Sequence, residues 1–238
     1  MKILEVCNIT KTFGETTALK NVSFSLNRGE FLVIGGANGS GKSVLMSIIA
    51  GLEKSSSGEI IKDKNDRTGL IFQDADAQIL GETPEEDIAF GLRTLGLSRD
   101  EIRSRTMELL DGFGLRTKAD SPARLLSGGE KRKLAVAGVT ALDCSIFIFD
   151  EPFANLDWDG IKQVCALLLE LKAKGKTVIV LTHELEKILA PADRFMVLHK
   201  GELVFDGKPK EGLASDMEKW GIRNPLVSYS SVKDMIWT

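Results

Sequence analysis

Short apolar runs and amphipathic stretches alternate along this chain, and their periods separate strands from helices. Residues 31–34, 145–149 and 177–182 are continuous, predominantly apolar runs, the pattern of strands buried on both faces of a parallel sheet. Alternation at 3–6 and 22–26 reads instead as half-buried strands, joined through 11–15 into an antiparallel edge. Residues 58–61 and 69–72 read as two more strands, with the charged stretch 62–67 as the turn between them.

Helical spacing appears at Leu45, Ile48, Ile49 and Leu52. Thr83-Pro84-Glu85-Glu86 predicts a helix opened by a capping box with proline at its first position, and Ser98-Arg99-Asp100-Glu101 predicts a second. Ile102, Thr106, Leu109 and Phe113 give that second helix its apolar face, so residues from about 74 to 126 form a helical insert. A later helix carries Ile161, Val164, Leu168 and Leu171 and stops at Gly175, and a closing hairpin turns at Lys200-Gly201. The sum is an α/β fold: a mostly parallel sheet, an N-terminal antiparallel β subdomain and an inserted α-helical subdomain.

Between the run at 31–34 and the first helix lies Gly35-Gly36-Ala37-Asn38-Gly39-Ser40-Gly41-Lys42-Ser43, a G-x-x-x-x-G-K-S pattern in strand–loop–helix context. Such a loop turns backbone N–H groups inward onto a polyphosphate, aided by the helix dipole. Lys42 is placed to reach the β- and γ-phosphates and the Ser43 hydroxyl to ligate a bridging Mg²⁺. The pattern identifies a P-loop nucleotide site without saying how the nucleotide is used. A second glycine turn, Leu126-Ser127-Gly128-Gly129-Glu130, opens another helix whose N-terminus suits an anion. The run 145–149 ends in Asp150-Glu151-Pro152 and the run 177–182 ends at His183, at the strand ends where open α/β sheets bind ligands.

Composition narrows the setting. The chain has 238 residues, of which 43% are hydrophobic and 27% charged, as in an ordinary globular protein. No apolar run approaches the roughly 20 residues that cross a bilayer, and Glu5 and Asn8 interrupt any secretory leader, so a membrane role must come through a partner. A net charge of −3 argues against a nucleic-acid partner. Cys7, Cys144 and Cys165 have no metal-ligand spacing and read as core residues in a reducing compartment.

With these pieces in order, residues from about Ile3 to Pro209 closely resemble the nucleotide-binding subunit of ATP-binding-cassette transporters, the P-loop ATPase fold described above. The segments Phe72-Gln73-Asp74, Gln78-Ile79-Leu80 and 85–91 resemble energy-coupling-factor importers of vitamins and metal ions. The resemblance implies an ATPase domain over 1–209, a short C-terminal tail over 210–238, and residence at the cytoplasmic face of the cell membrane as a peripheral subunit. It implies ATP and Mg²⁺ as cofactors, and a head-to-tail pair, either a homodimer or a heterodimer with a second such ATPase. Each ATP would lie between the phosphate loop of one subunit (Gly36, Asn38, Gly39, Ser40, Gly41, Lys42, Ser43, Val44) and Ser127, Gly128, Gly129 and Glu130 of the other.

By the same resemblance Asp150 holds Mg²⁺ together with Ser43, and Glu151 is the catalytic carboxylate that polarises water. His183 contacts the γ-phosphate, Gln73 senses metal and water, Phe13 stacks on adenine, and Asp157 crosses to the opposite site. His199 reads as ordinary surface or core. Three departures from the family pattern stand out: Val44 in place of a hydroxyl residue, Glu130 in place of the commoner glutamine, and a shortened stretch from Gly58 to Gly69. The insert would dock integral-membrane subunits through a groove of Glu82, Glu85, Glu86 and Asp87 beside Ile79, Leu80, Ile88 and Phe90. A soluble cassette ATPase without transport, such as an iron–sulfur assembly scaffold, is the alternative; a small-molecule kinase would need an acceptor pocket that no residues suggest. Trp220, Ile222, Leu226, Val227, Tyr229, Ile236 and Trp237 make the tail apolar enough to pack on its own domain, with subunit association as the other reading.

Overall fold

The computed structural model describes residues 1–227 and 231. Two long strands, β1 (Lys2–Phe13) and β2 (Thr16–Asn27), pair antiparallel around a turn at Gly14-Glu15, so residues 11–13 belong to the strand rather than to the connection. β3 (Phe31–Gly35) leads through the phosphate loop into α1 (Lys42–Ala50). α1 ends one residue before Gly51, and Leu52 falls on the exit turn at 64% exposure instead of continuing the buried face.

β4 (Ser57–Lys62) and β5 (Thr68–Ile71) do not form the hairpin that their spacing suggests. β4 pairs antiparallel with β1 to complete a three-stranded sheet, whereas β5 pairs parallel with β6 (Ile146–Asp150) at the edge of a six-stranded sheet. The reason lies in burial: β4 is mostly exposed and suits a one-sided sheet, while Gly69 and Ile71 of β5 are buried. Gly69 also lies where an added Cβ would meet Val139 Cγ1 at 2.0 Å, so this strand edge fits closely against the helix carrying Val139.

The large sheet runs β5-β6-β7-β3-β8-β9, with β7 (Thr177–Leu181), β8 (Arg194–His199) and β9 (Glu202–Gly207); all neighbours are parallel except β8 and β9. Its central strands are apolar on both sides, and successive residues serve different cores. Phe31, Val33, Phe147, Phe149, Val178, Val180, Phe195 and Val197 face one cluster, while Leu32, Ile34, Ile146, Ile148, Ile179, Leu181, Met196 and Leu198 face the other. The second cluster joins this sheet to α1 and the three-stranded sheet. Into the first cluster pack α4 (Gly128–Ala141) and α5 (Trp158–Ala173), together with Met217, Trp220 and Ile222 from beyond α6 (Pro209–Leu213). Leu226 and Val227 stay exposed, and Tyr229, Ile236 and Trp237 lie outside the described residues.

The insert carries α2 (Pro84–Arg93), α3 (Arg99–Gly112) and two short 3-10 turns. Ser98 and Glu101 form the expected capping box, but the cap of α2 differs. Thr83 accepts from Glu86 N, while the Glu86 carboxylate reaches past Thr83 to Glu82 N at 3.1 Å. α3 turns Thr106 and Leu110 fully inward, so its buried face is rotated slightly from the predicted one and Ile102 and Leu109 sit at its margin. The insert core closes on Leu134, Ala137 and Ala141 of α4, whose other side, Ala135, Val136 and Val139, belongs to the sheet core. α4 is therefore shared by both bodies.

Candidate nucleotide site

The loop between β3 and α1 curves around a cavity of about 230 Å³, lined by residues 38–44 with Ala18, Gln73 and Glu151. Glycine is required at two of its corners. At Gly36 a Cβ would meet Leu198 O at 2.4 Å, and at Gly41, with φ 102°, it would meet Ala18 O at 2.6 Å. Ala18 thus buttresses the loop, as does the β8–β9 turn, where Gly201 N donates to Ser40 O at 3.0 Å. No motif marks Ala18, and Gly201 reads from the sequence only as part of a hairpin turn. The Ser40 hydroxyl is buried without a hydrogen-bond partner, and Val44, half-buried at the end of the loop cavity, also packs on the α1 core.

Lys42 is 5% exposed and donates from Nζ to Gly36 O at 2.7 Å and Ala37 O at 3.2 Å. Burial lowers its pKa, partly opposed by the charges of Glu151 and Asp150. Ser43 Oγ donates to Asp150 Oδ1 at 3.2 Å. Burial raises the Asp150 pKa against the Ser43 hydrogen bond, and the neighbouring Glu151 charge adds to the rise. Loop and strand end therefore bring a buried ammonium and a buried carboxylate together beside the more open Ser43 hydroxyl and Asp150 carboxylate.

Glu151 has φ 45°, a left-handed backbone uncommon for a residue with a side chain, and its N–H bonds Leu181 O at 2.9 Å. That geometry turns its carboxylate back over the sheet. Oε1 lies 3.7 Å from Lys42 Nζ, while Oε2 lies 3.1 Å from His183 Nδ1 and accepts from His183 N at 3.4 Å. His183 is more than half exposed. The other histidine, His199, meets Trp220 O at 3.1 Å, away from these groups.

The remaining residues singled out by sequence lie outside this cluster. Phe13 is 49% exposed at the end of β1, with Lys11 Nζ over its ring at 4.7 Å. That ammonium is itself held by Glu53 Oε1 at 2.7 Å and Lys54 O at 2.7 Å. Asp157 caps α5, accepting from Gly160 N at 2.8 Å. Residues 127–130 do not line the loop cavity. Ser127 and Glu130 form a reciprocal capping box at the start of α4, and Glu130 also pairs with Lys118 at 2.5 Å. Close approach explains the two glycines between them: a Cβ at Gly128 would meet Leu156 Cδ2 at 2.6 Å, and one at Gly129 would meet Gln163 Oε1 at 2.8 Å. Among the cysteines only Cys144 is buried; Cys7 and Cys165 are half-buried, which corrects the expectation of three core thiols.

The sequence profile of a family described as ABC transporter matches residues 19–154, which span the loop, the insert, the Ser127–Glu130 cap and the Asp150-Glu151 strand end. The chain belongs to the ABC transporter family. It is accordingly an ABC-type ATP hydrolase, and its fold is that of the family. Among the proteins it resembles is the energy-coupling factor transporter ATP-binding protein EcfA of Methanocaldococcus jannaschii, 35% identical over 96% of this chain and 88% of that one. Another is EcfA1 of Streptococcus pneumoniae, 38% identical over 95% of this chain and 88% of the relative. A solved structure of cbiO1 from Clostridium perfringens, described as part of the ABC transporter complex cbiONQ, superposes with a TM-score of 0.82. It is 33% identical, covering 94% of this chain and 96% of that one. Energy-coupling-factor ATPases are thus the relatives that the sequence patterns at 72–91 anticipated.

Proposed function

We propose that this chain is the ATP-hydrolysing subunit of an energy-coupling-factor importer for a vitamin or metal ion, acting at the cytoplasmic face of the membrane as one half of a head-to-tail ATPase pair. The observation that carries the reading is the strained Glu151, whose carboxylate stands between Lys42 and His183 over the phosphate loop. In that position it orients and deprotonates a water directed at the γ-phosphorus, and phosphoryl transfer needs such positioning more than covalent chemistry. Lys42 leaves the carbonyls of Gly36 and Ala37 for the β- and γ-phosphates, and His183 holds Glu151 in register. Gln73, which lines the same cavity, is the residue expected to sense that water. Phe13 offers adenine the ring face that Lys11 leaves open.

The residues present fit a nucleotide with Mg²⁺. The partnerless Ser40 hydroxyl and the glycine corners make an anion cradle, and Ser43 with Asp150 supplies a hydroxyl and a carboxylate of the kind a hard cation takes. When bound, that ion would neutralise charge on the β- and γ-oxygens.

A pair of chains is favoured because Ser127 and Gly128 are exposed at a helix start outside the loop cavity of their own chain, where a second chain's triphosphate has access. Asp157, on the neighbouring α5 cap, would cross at the same contact. The membrane partner is assigned to a cleft of about 460 Å³ beside the insert, lined by Asp76, Ile79, Gly81, Glu82, Thr83 and residues 122–124. Two members of the predicted groove belong elsewhere: Ile88 is fully buried, and Asp87 accepts from Leu80 N at 2.7 Å and Gly81 N at 3.0 Å. Light scattering on Glu151→Gln tests the shared site. The mass should double with Mg·ATP and return when nucleotide is removed, because a ligand that binds the closed pair stabilises it by mass action. One unchanged monomer mass in both states removes the shared-site reading.

A further inference from the structure

Arg132, in the second turn of α4, is 2% exposed, and among the described residues no carboxylate stands within ion-pair distance of it. The Asp74 charge favours it from farther off, but its hydrogen bonds go to backbone carbonyls: Nη1 donates to Phe72 O and Nη2 to Gln73 O at 2.6 Å, while Nε has no partner. A buried guanidinium is always charged, and an apolar side chain of similar volume often stabilises a fold at least as well. Stability alone is thus a weak reason for arginine here, and what the fork holds becomes the question.

It holds one short segment from one side. Lys131, the preceding residue, pairs with Asp76 Oδ1 at 2.5 Å, so two successive residues of α4 grip residues 72–76. From the other side, Gln78 accepts from Phe72 N at 3.1 Å and donates to Leu70 O at 3.1 Å, tying the same segment to β5. The Gln73 side chain is left exposed at the rim of the nucleotide cavity while its backbone is clamped. The clamp sits five residues beyond Ser127, on a helix shared by the insert core and the sheet core.

We propose that Arg132 is a positioning residue for ATP hydrolysis, which presents Gln73 to the nucleotide and makes the Gln73 segment move with the helix that begins at Ser127–Glu130. The inference rests on the ATPase reading above and assigns this chain a link that makes Gln73 placement depend on α4. A planar fork on two successive carbonyls fixes their direction in a way that a lysine point charge does not.

The test is a mutant cycle on the purified full-length chain with Arg132→Met, Gln73→Ala and the pair, reading Mg·ATP affinity with a fluorescent ATP analogue alongside steady-state turnover. Arg132→Met should lower kcat at least about tenfold with affinity changed less than about threefold, and the double variant should be no slower than Gln73→Ala alone, since the two act as one unit. Multiplicative losses, or a kcat for Arg132→Met within about twofold of the parent, overturn the inference. Should Arg132→Met not fold, Arg132→Lys carries the same cycle, because it keeps the charge and gives up the fork. It is then expected to lose kcat without a matching loss of melting temperature, and parent-like turnover overturns the inference. A parent chain that binds ATP and does not hydrolyse it refutes the functional reading itself, an outcome distinct from multiplicative losses in an active parent.

Discussion

Glu151 Oε2 lies 3.1 Å from His183 Nδ1, and the same carboxylate's other oxygen lies 3.7 Å from Lys42 Nζ. A carboxylate held by Lys42 on one side and by the ring and backbone nitrogens of His183 on the other has a fixed direction without touching the loop amides that would grip phosphate. Glu151→Gln should therefore keep Mg·ATP affinity within a few-fold and lower kcat by on the order of 10² or more. Equilibrium binding and steady-state hydrolysis on one preparation check both parts, and near-normal turnover removes Glu151 from the chemistry.

Lys42 sets function against stability. Its pKa is lowered because burial disfavours the ammonium more than Glu151 and Asp150 favour it, so the nucleotide-free fold carries an unfavourable charge at neutral pH. Lys42→Met removes that charge at similar length. The variant should lose ATP affinity by about 10²-fold, while its nucleotide-free melting temperature equals or exceeds the parent's. A clear fall in melting temperature would show that the bonds to Gly36 O and Ala37 O, together with the contact to Glu151, outweigh the desolvation.

How much was legible in the chain follows from which contacts are local. The strands β3, β6 and β7 could be read because burial on both faces leaves an unbroken apolar run, β8 with β9 because a short turn joins them as a hairpin, and the phosphate loop because its spacing is set by a single turn. The partners of β4 and β5 could not, since pairing is decided by distant strands and the charged residues 62–67 resemble any hairpin turn. Ile88 sits among Glu85, Glu86 and Asp87 in sequence, yet the helix turns it fully inward. Arg132 lies in the charged stretch Glu130-Lys131-Arg132-Lys133 at a helix start, and residues of that type are seldom fully buried. Its burial comes from residues 72–76 folding across it, a contact about 60 residues away in sequence.

The departure at Glu130 has a measurable consequence. Burial pushes its pKa up, but hydrogen bonds from Lys118 and from the Ser127 backbone and hydroxyl outweigh this, and the pKa lies below the ordinary carboxylate value. A depressed carboxylate pKa gives stability that is present above the unfolded value and lost as pH falls through the folded one. Glu130→Gln should therefore melt a few degrees, about 2–4 °C, below the parent at pH 7. The gap should close as pH drops below about 4.5, the ordinary glutamate range. Parallel melting curves across that window would mean the Lys118 pair contributes nothing.

The membrane-facing prediction is redrawn by where the acids of the insert point. Asp87 holds the backbone of Leu80 and Gly81, and Glu86 holds Glu82 N, so reversing either charge would collapse the cleft wall instead of testing it. Glu82 is exposed on the cleft lining, and Leu80 (71%) and Leu125 (72%) are large apolar side chains exposed on the same insert. A basic amphipathic helix from a membrane subunit would meet carboxylate and leucine together. Leu80→Asp with Glu82→Lys should weaken co-purification with the membrane subunits while basal hydrolysis by the isolated chain stays within about twofold, since neither side chain lines the nucleotide cavity. Asp87→Lys serves as contrast, with a lower melting temperature expected from two backbone N–H groups losing their acceptor. Intact complex assembly by the Leu80/Glu82 variant would move the docking surface away from this cleft.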